Sequence, residues 1–275
     1  MNRKLWSGGL VALLLLLFSL TLAACGDDDE TSRDSVTTVG GETAAIESNP
    51  ANGDVKIVVG SKNFTEQKIL GEIFAQGLMA AGYDVSTELN LGDEKTALKA
   101  VESGTIDAYP EYTGTALGSF FGVASDDIPT DPQAAYERAR KGFADKGLTA
   151  LPPTPFTSSN EVALTGDRAE ELGVEKISDL QGKSQDLTLY GAPECRQRQD
   201  CLLGLQDVYD LEFQKFVPVD IALRHEVLEE GQADLPIVFT TDPQNEREGL
   251  VLLEDDRGMF PPYNSTLVVR DETVE

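Results

Sequence analysis

Residues 55–65 read VKIVVGSKNFT, and this stretch decides the fold. A short run rich in valine and isoleucine is typical of a buried strand, and Gly60 ends it here. Asn63 or Thr65 can cap the helix that we predict next, because both side chains accept hydrogen bonds from the free N–H groups of a first helical turn. The apolar residues of that helix recur at helical spacing and predict one buried face, made of Ile69, Leu70, Ile73, Phe74, Gly77, Leu78 and Ala81.

This strand–loop–helix unit continues and then recurs in the second half of the chain. It continues with a strand, a helix and a third strand, at residues 83–91, 94–103 and 106–109. The second copy starts with LTLYGAPE at residues 187–194, and its next strand, helix and strand are predicted at residues 216–219, 223–230 and 235–239. Because strands alternate with helices in both copies, the sequence predicts an α/β protein with two lobes, each a mostly parallel sheet flanked by helices.

The third strands of the two copies correspond closely. Gly104 precedes Asp107 by three residues and Tyr112 by eight, and the second copy repeats both spacings with Gly231, Asp234 and Phe239. Ligands of open α/β sheets bind beyond the carboxyl ends of the strands. We therefore expect one ligand cleft between the lobes, lined by Tyr112, Phe239 and the loop after the first strand of each copy.

The repeat also sets the expected domain boundaries. We assign residues 55–157 and 248–275 to lobe 1 and residues 158–247 to lobe 2. The connections at about residues 154–163 and 240–250 are the expected hinge strands, so that lobe closure over a ligand is the natural motion.

The N-terminus predicts export from the cytoplasm. Two basic residues precede an apolar run at residues 10–20, and small residues precede Cys25, which is the pattern of a secretory signal peptide. The sequence LAAC that ends at Cys25 resembles the bacterial lipobox. This implies a signal peptide at residues 1–24 and a lipidated Cys25 that holds the protein on the outer face of the cell membrane. A plain signal peptide with an incidental Cys25 thiol is the alternative. Residues 25–54 are acidic and poor in large apolar side chains, so we predict a disordered linker.

The charge of the chain argues against two classes of partner, and its length fits two lobes. The sequence has 48 acidic and 22 basic residues, a formal net charge of −26. Nucleic acid and anionic lipid surfaces need a basic face, so the charge argues against both as partners. Residues 55–275 are enough for two lobes of about 100 residues each.

Cysteine, histidine and motif content argue against an enzyme. Cys195 and Cys201 are an even pair in an exported chain and most simply form a disulfide, whereas a metal site is the weaker interpretation because His225 is the only histidine. We predict His225 to be a solvated helical residue. The chain has no Gly-x-Ser-x-Gly elbow, no His-Glu-x-x-His and no phosphate-binding Gly-x4-Gly-Lys loop. We expect no catalytic residue, metal or cofactor, and an exported hydrolase is the weaker alternative.

Several motifs in order resemble one protein family. GSKNFTEQ at residues 60–67, YPEYTGT at 109–115, FTTD at 239–242 and the segment at 253–263 resemble the substrate-binding proteins of bacterial osmoprotectant ABC importers. The resemblance covers nearly all of residues 55–270. It implies a type II periplasmic-binding-protein fold, no catalysis, and a monomeric carrier of a small-molecule osmoprotectant. Glycine betaine, choline or a similar compound would be delivered to an ABC permease with its cytoplasmic ATPase.

The resemblance also implies a set of site residues. In that family, aromatic rings surround a quaternary ammonium group and cationic side chains hold the ligand's carboxylate. The positions that match are Lys62, Tyr112, Thr115, Arg198, Phe239 and Tyr263, with Lys62 and Arg198 as the cations. Further candidates in the same motifs are Asn63, Asn160, Glu161, Glu194 and Thr240. Where the family usually offers another tyrosine, this chain has Ser159, Asn160 and Glu161. We hypothesise that an inward-pointing Glu161 favours a cation such as choline.

Two expectations concern other ligands and the end of the chain. A binding protein for another small zwitterion or cation, such as an amino-acid derivative, is the alternative carrier function, and a surface receptor is less favoured by a single cleft. The chain ends where a helix would begin at Asp271. We therefore expect an uncovered apolar patch near the C-terminal strand of lobe 1.

Overall fold

The structure is a computed structural model, and it describes residues 46–231 and 234–274. The predicted signal peptide, the lipidated Cys25 and most of the predicted linker lie outside the described residues. Within the described ranges, no helix is both long enough and apolar enough to span a membrane.

The secondary structure alternates along the described chain. The strands are β1 Lys56–Gly60, β2 Asp84–Glu88, β3 Ala108–Tyr112, β4 Leu148–Ala150, β5 Asn160–Thr165, β6 Thr188–Gly191, β7 Lys215–Pro218, β8 Leu235–Phe239, β9 Leu250–Leu252 and β10 Ser265–Arg270. The α-helices are α1 Thr65–Ala80, α2 Glu94–Glu102, α3 Thr113–Thr115, α4 Pro132–Ala144, α5 Gly166–Leu172, α6 Leu202–Asp207, α7 Glu226–Glu229, α8 Pro243–Arg247 and α9 Asp271–Val274. A π-helical turn at Ala116–Phe120 follows α3, and 3-10 turns lie at Pro50–Asp54, Ser125–Asp127, Ile177–Leu180, Ser184–Asp186, Pro193–Gln197 and Ile221–Leu223.

Two five-stranded sheets form the two lobes. The strand order is β2-β1-β3-β10-β4 in the first sheet and β7-β6-β8-β5-β9 in the second. In the first sheet β1 is parallel to β2 and β3, whereas β10 is antiparallel to both of its neighbours. In the second sheet β6 is parallel to β7 and β8, and β5 is antiparallel to both of its neighbours. The two-lobed α/β prediction is confirmed, but the sheets are mixed because each receives a strand from the chain as it crosses between lobes.

The internal repeat extends to individual hydrogen bonds. Asp107 Oδ2 accepts from the Val58 backbone N–H at 2.8 Å, and Asp234 Oδ2 accepts from the Thr188 backbone N–H at 2.9 Å. In each lobe an aspartate before the third strand thus fixes the first strand. Consequently β3 and β8 are held in equivalent positions, and their last residues lie at the carboxyl edges of their sheets.

Helix α1 buries part of the face that the apolar spacing predicts, but not Ile69 and Ile73. Leu70 and Ala75 are buried, but Ile69 and Ile73 are 54% and 58% exposed. Helix α1 packs closely on β1 at Gly71, because a Cβ there would lie 3.3 Å from the Gly60 carbonyl oxygen. The buried residues of this helix are Gln67, Leu70, Gly71 and Ala75, and the prediction for Ile69 and Ile73 was wrong.

The crossings between lobes differ in part from those expected. A bridge joins Thr157 to Asn264, so the first crossing falls within the predicted hinge at 154–163. The second does not lie at 240–250, because those residues form α8 and lead to β9, which pairs with β5. Leu253 and Met259 pack in the core of the second lobe. The chain therefore returns to the first lobe after about residue 260, later than the expected boundary at 248.

The C-terminal strand of the first lobe is covered. Strand β10 lies between β3 and β4, and its side chains Leu267 and Val269 are only 3% and 7% exposed. The prediction of an uncovered apolar patch on this strand was wrong, because Phe74 of α1 packs against the cluster that contains Leu267 and Val269.

Candidate ligand-binding site

A cavity lies between the lobes at the carboxyl ends of β1, β3, β6 and β8. It holds about 470 Å³ of empty space, part of which is open to solvent. The residues that line it are Lys62, Asn63, Phe64, Asp93, Glu94, Tyr112, Thr115, Ser158, Asn160, Glu194, Arg198, Ile221, Phe239 and Tyr263. Nine of the sequence-predicted site residues are among these fourteen, and Glu161 and Thr240 are not.

Four aromatic side chains form the apolar walls of the cavity. Tyr112 ends β3 and Phe239 ends β8, while Phe64 directly precedes α1 and Tyr263 lies on the return crossing. The ring centroids of Phe64 and Phe239 are 5.1 Å apart, so that the two lobes meet ring to ring. The rings of Phe64 and Tyr112 stack at 6.3 Å. Phe64 was missed by the sequence analysis, although its place in the loop after β1, beside Lys62, was a usable signal.

The tyrosine hydroxyls are held by carboxylates. Tyr112 donates its hydroxyl hydrogen to Glu66 Oε1, and Tyr263 donates to Asp200 Oδ2 at 2.5 Å. Asn160 donates from its side-chain amide to the Tyr263 hydroxyl oxygen at 3.2 Å. Burial, together with these carboxylates, raises the pKa of both tyrosines well above the usual range. Both rings therefore stay neutral and keep a fixed orientation toward the cavity.

Lys62 is paired with an acidic side chain. Its ammonium group binds Glu111 Oε1, and both side chains are almost fully buried. Glu111 also accepts from the Tyr112 backbone N–H at 2.7 Å and from the Tyr109 hydroxyl at 3.2 Å. Burial raises the pKa of Glu111, and the charge of Lys62 opposes that rise. The Lys62 nitrogen lies 4.6 Å from the centroid of the Tyr112 ring, so this ring already contacts a cation.

Arg198 is also paired. Its Nε donates to Asp200 Oδ1 at 2.7 Å and its Nη2 to Asp200 Oδ2, while Nη1 lies 3.6 Å from Glu94 Oε1 on α2 of the first lobe. Burial alone would raise the pKa of Asp200, but Arg198 and the Tyr263 hydroxyl lower it overall. The ion pair between Arg198 and Glu94 spans the cleft, as does the hydrogen bond from Tyr263 to Asp200.

A third link crosses the cleft beside Tyr112. Glu66 Oε2 accepts from the Thr241 hydroxyl, and the Thr241 and Ser158 hydroxyl oxygens are 2.8 Å apart. Glu66 therefore ties the start of α1 in the first lobe to the segment that follows β8 in the second. Contacts of this kind, formed only when the lobes approach, stabilise a closed arrangement.

The start of α2 brings further negative charge to the cavity. Asp93 caps this helix by accepting from the Thr96 backbone N–H at 2.8 Å, and its hydrogen bonds to Thr96 lower its pKa. Glu94 follows in the first turn and is 5% exposed. Glu194 enters from the loop after β6, where burial raises its pKa. Asp93 and Glu94 were not predicted from the sequence, and only the approach of the lobes places Glu94 beside Arg198.

Glu161 and Thr240 stand apart from the cavity. Glu161 Oε2 is buried without a hydrogen-bond partner, and burial together with the charge of Asp255 raises its pKa to about 8. The expectation that Glu161 points inward was wrong, because alternation along β5 places Asn160 on the cavity side. Thr240 is exposed, and its hydroxyl oxygen accepts from the Ser159 backbone N–H at 3.0 Å.

Two sequence predictions outside the cavity have clear outcomes. Cys195 and Cys201 form a disulfide, as expected. His225 is only 8% exposed, and its ring nitrogens lie 3.0 Å from Glu248 Oε2 and 3.1 Å from Asp242 Oδ2. The prediction of a solvated histidine was wrong, because carboxylates from the segment after β8 surround it.

Two α/β lobes with an aromatic cavity between them define a ligand-capturing protein of the binding-protein class. Residues 55–275 match the family model described as the substrate binding domain of an ABC-type glycine betaine transport system. The chain belongs to this family of ABC-importer substrate-binding proteins, whose members work outside the cytoplasm.

Individual relatives agree with this assignment. A glycine-betaine-binding protein from Pseudomonas aeruginosa is 34% identical over 228 residues, which cover 79% of this chain and 72% of that protein. An ergothioneine transport permease/ergothioneine binding protein from Helicobacter pylori is 29% identical over 84% of this chain, which spans only 40% of that longer protein. A crystal structure of a glycine betaine/carnitine/choline ABC transporter component shares the fold, with a TM-score of 0.62 and 24% identity over 80% of this chain and 81% of that one.

Proposed function

We propose that this chain captures a quaternary-ammonium osmoprotectant, such as glycine betaine or choline, and delivers it to an ABC permease. The observation that carries the proposal is the aromatic wall built from both lobes, in which Phe64 and Phe239 meet at 5.1 Å across the cleft. A trimethylammonium group has no N–H to donate, so its recognition depends on ring faces. A desolvated cation–π contact contributes about 2 kcal/mol.

The size of the cavity fits a small ligand of this kind. The space of about 470 Å³ includes a part that is open to solvent, so the enclosed remainder limits the ligand to a small molecule. Several ring contacts would give a binding free energy of about −8 kcal/mol, which corresponds to micromolar affinity after the costs of ordering the ligand. The family assignment and the relative named as a glycine-betaine-binding protein support the same ligand class.

The proposal includes how the protein is placed and what it does to its ligand. The N-terminal pattern supports cleavage after residue 24 and lipidation of Cys25. The chain would then act as a monomer on the outer face of the membrane and release its ligand unchanged, without catalysis. Mass spectrometry of the mature N-terminus tests the anchor, and recovery of intact ligand after long incubation tests the absence of turnover.

A paired substitution of Tyr112 tests the binding function. Tyr112→Ala should weaken binding of choline or glycine betaine by about 1–3 kcal/mol in titration calorimetry, because it removes a ring face. Tyr112→Phe keeps the ring and loses only the hydrogen bond to Glu66, so it should stay closer to wild type. If neither compound binds wild-type protein, or if Tyr112→Ala leaves the affinity unchanged while the protein is folded, the proposal fails.

A further inference from the structure

The two cations that line the cavity are neutralised within the protein. Lys62 binds Glu111, which is fully buried and accepts further hydrogen bonds from the protein. Arg198 binds Asp200 through two nitrogens. The opposite charges of each pair cancel, and burial limits the solvent screening of the attraction between the partners. A ligand carboxylate would have to compete with Glu111 or Asp200 for its counter-charge.

Three acidic side chains of the cavity lie outside these two ion pairs. Among the described residues that line the cavity, the acidic side chains outside the two pairs are Asp93, Glu94 and Glu194, and no further lysine or arginine is present to balance them. Burial raises the pKa of Glu194. Asp93 and Glu94 lie at the N-terminus of α2, where the helix dipole interacts favourably with acidic side chains. Without Glu194, the acidic side chains in this set, with Glu111 and Asp200 included, still outnumber the basic ones by two.

Of the two acidic residues Asp93 and Glu94, Glu94 is the buried one. Its side chain is 6% exposed, whereas Asp93 is exposed and is used as a helix cap. The nearest cation to Glu94 is Arg198, at 3.6 Å. Two of the three guanidinium nitrogens of Arg198, Nε and Nη2, already donate to Asp200. Glu94 is therefore a desolvated carboxylate with an incomplete counter-charge on the wall of an aromatic cavity.

From these contacts we infer that the cavity selects a ligand with a net positive charge over a zwitterion, and that Glu94 determines this preference. The inference rests on the proposed function, and it names a quaternary ammonium that carries a hydroxyl in place of a carboxylate. Such a cation supplies the missing counter-charge to Glu94 and places its trimethylammonium group on the rings. A ligand carboxylate instead meets the excess of like charge, which disfavours binding.

Choline and glycine betaine are the matched probes, because both carry a trimethylammonium group. Choline has a hydroxyl group where glycine betaine has a carboxylate. Titration calorimetry of the wild-type protein should show choline at least about tenfold tighter than glycine betaine. Glu94→Gln removes one negative charge at nearly constant shape, and it should lower the choline-to-betaine affinity ratio by about tenfold. Glu170→Gln makes the same change of net charge on an exposed helical position and should leave the ratio unchanged.

The outcomes separate the inference from the proposed function. Tighter binding of glycine betaine than of choline by wild-type protein overturns the inference and leaves the proposed function intact. A clear choline preference that persists in folded Glu94→Gln overturns the role of Glu94. If neither probe binds, the proposed function fails and the inference fails with it. Thermal unfolding of each variant establishes that the comparison is made on folded protein, and the wild-type comparison stands even if Glu94→Gln does not fold.

Discussion

Replacing Phe239 by leucine separates ring-face recognition from simple apolar packing. Phe239 ends β8, its ring centroid lies 5.1 Å from that of Phe64, and the Arg224 guanidinium carbon lies 4.4 Å from it. Leucine keeps an apolar side chain of similar reach but has no π face. The loss of one desolvated cation–π contact costs about 2 kcal/mol, which is about a 30-fold increase in Kd.

The assay is titration calorimetry with two ligands of the same shape. Choline is cationic, and 3,3-dimethylbutan-1-ol is its neutral isostere. We expect Phe239→Leu to weaken choline binding about 30-fold and to change binding of the isostere much less. Phe239→Tyr restores the ring and should bind choline like wild type. Phe156→Leu is the matched control, because Phe156 is 40% exposed and does not line the cavity. Equal losses for both ligands would mean that Phe239 acts by packing alone, and unchanged choline affinity would remove it from the site.

Three further predictions concern stability. Reduction of the Cys195–Cys201 disulfide should lower the free energy of unfolding by about 2 kcal/mol, since it opens a short loop. A Tm unaffected by reductant would contradict this. As a control, the Tm of a Cys195→Ala/Cys201→Ala variant should not respond to reductant. The pKa of Glu161 is raised from the usual 4.5 to about 8. Between these two pH values the folded state keeps a proton on Glu161 that the unfolded state loses. The free energy of unfolding should therefore fall as the pH rises from about 4.5 to about 8. Thermal unfolding should show that Glu161→Gln raises Tm more at pH 8 than at pH 5, unlike Glu170→Gln; a gain independent of pH would refute the assignment. Asp242→Ala should cost about 3 kcal/mol or more in urea unfolding, because its carboxylate binds the Arg224 guanidinium, the His225 ring and a backbone N–H, and a loss below about 1 kcal/mol would argue against this network.

The fold could be predicted from the sequence because its signals are local. Gly60 ends an apolar run, and the spacing from Gly104 to Tyr112 recurs from Gly231 to Phe239. These patterns fix strand ends, and strand ends fix where a cleft forms. The resemblance then supplied Lys62 and most of the other cavity residues by position.

The parts that could not be predicted depend on contacts between distant segments. Glu94 reaches the cavity only because the lobes bring α2 close to Arg198, and no local pattern encodes that approach. The three-residue strand β9 is too short to show periodicity, so its pairing in the second lobe was missed. His225 looked solvated because its carboxylate partners lie beyond the next strand. The hypothesis for Glu161 was conditional on an inward-pointing side chain, and the strand alternation that decides this direction was not used.

The pairing of Lys62 and Arg198 changes how the implied site is understood. The resemblance assigns these residues to a ligand carboxylate, yet each is bound to an acidic side chain of the protein itself. A buried ion pair of this kind is costly to break, since either partner would be left unpaired. The ligand preference of the cavity therefore depends on acidic neighbours as much as on the cations that the motifs show.

A crystal structure of the protein with bound choline tests the central claim most directly. We predict the quaternary nitrogen between the lobes, within about 6 Å of the ring centroids of at least two of Phe64, Tyr112, Phe239 and Tyr263. Choline density outside this cavity, or in it but away from all four rings, would contradict the account.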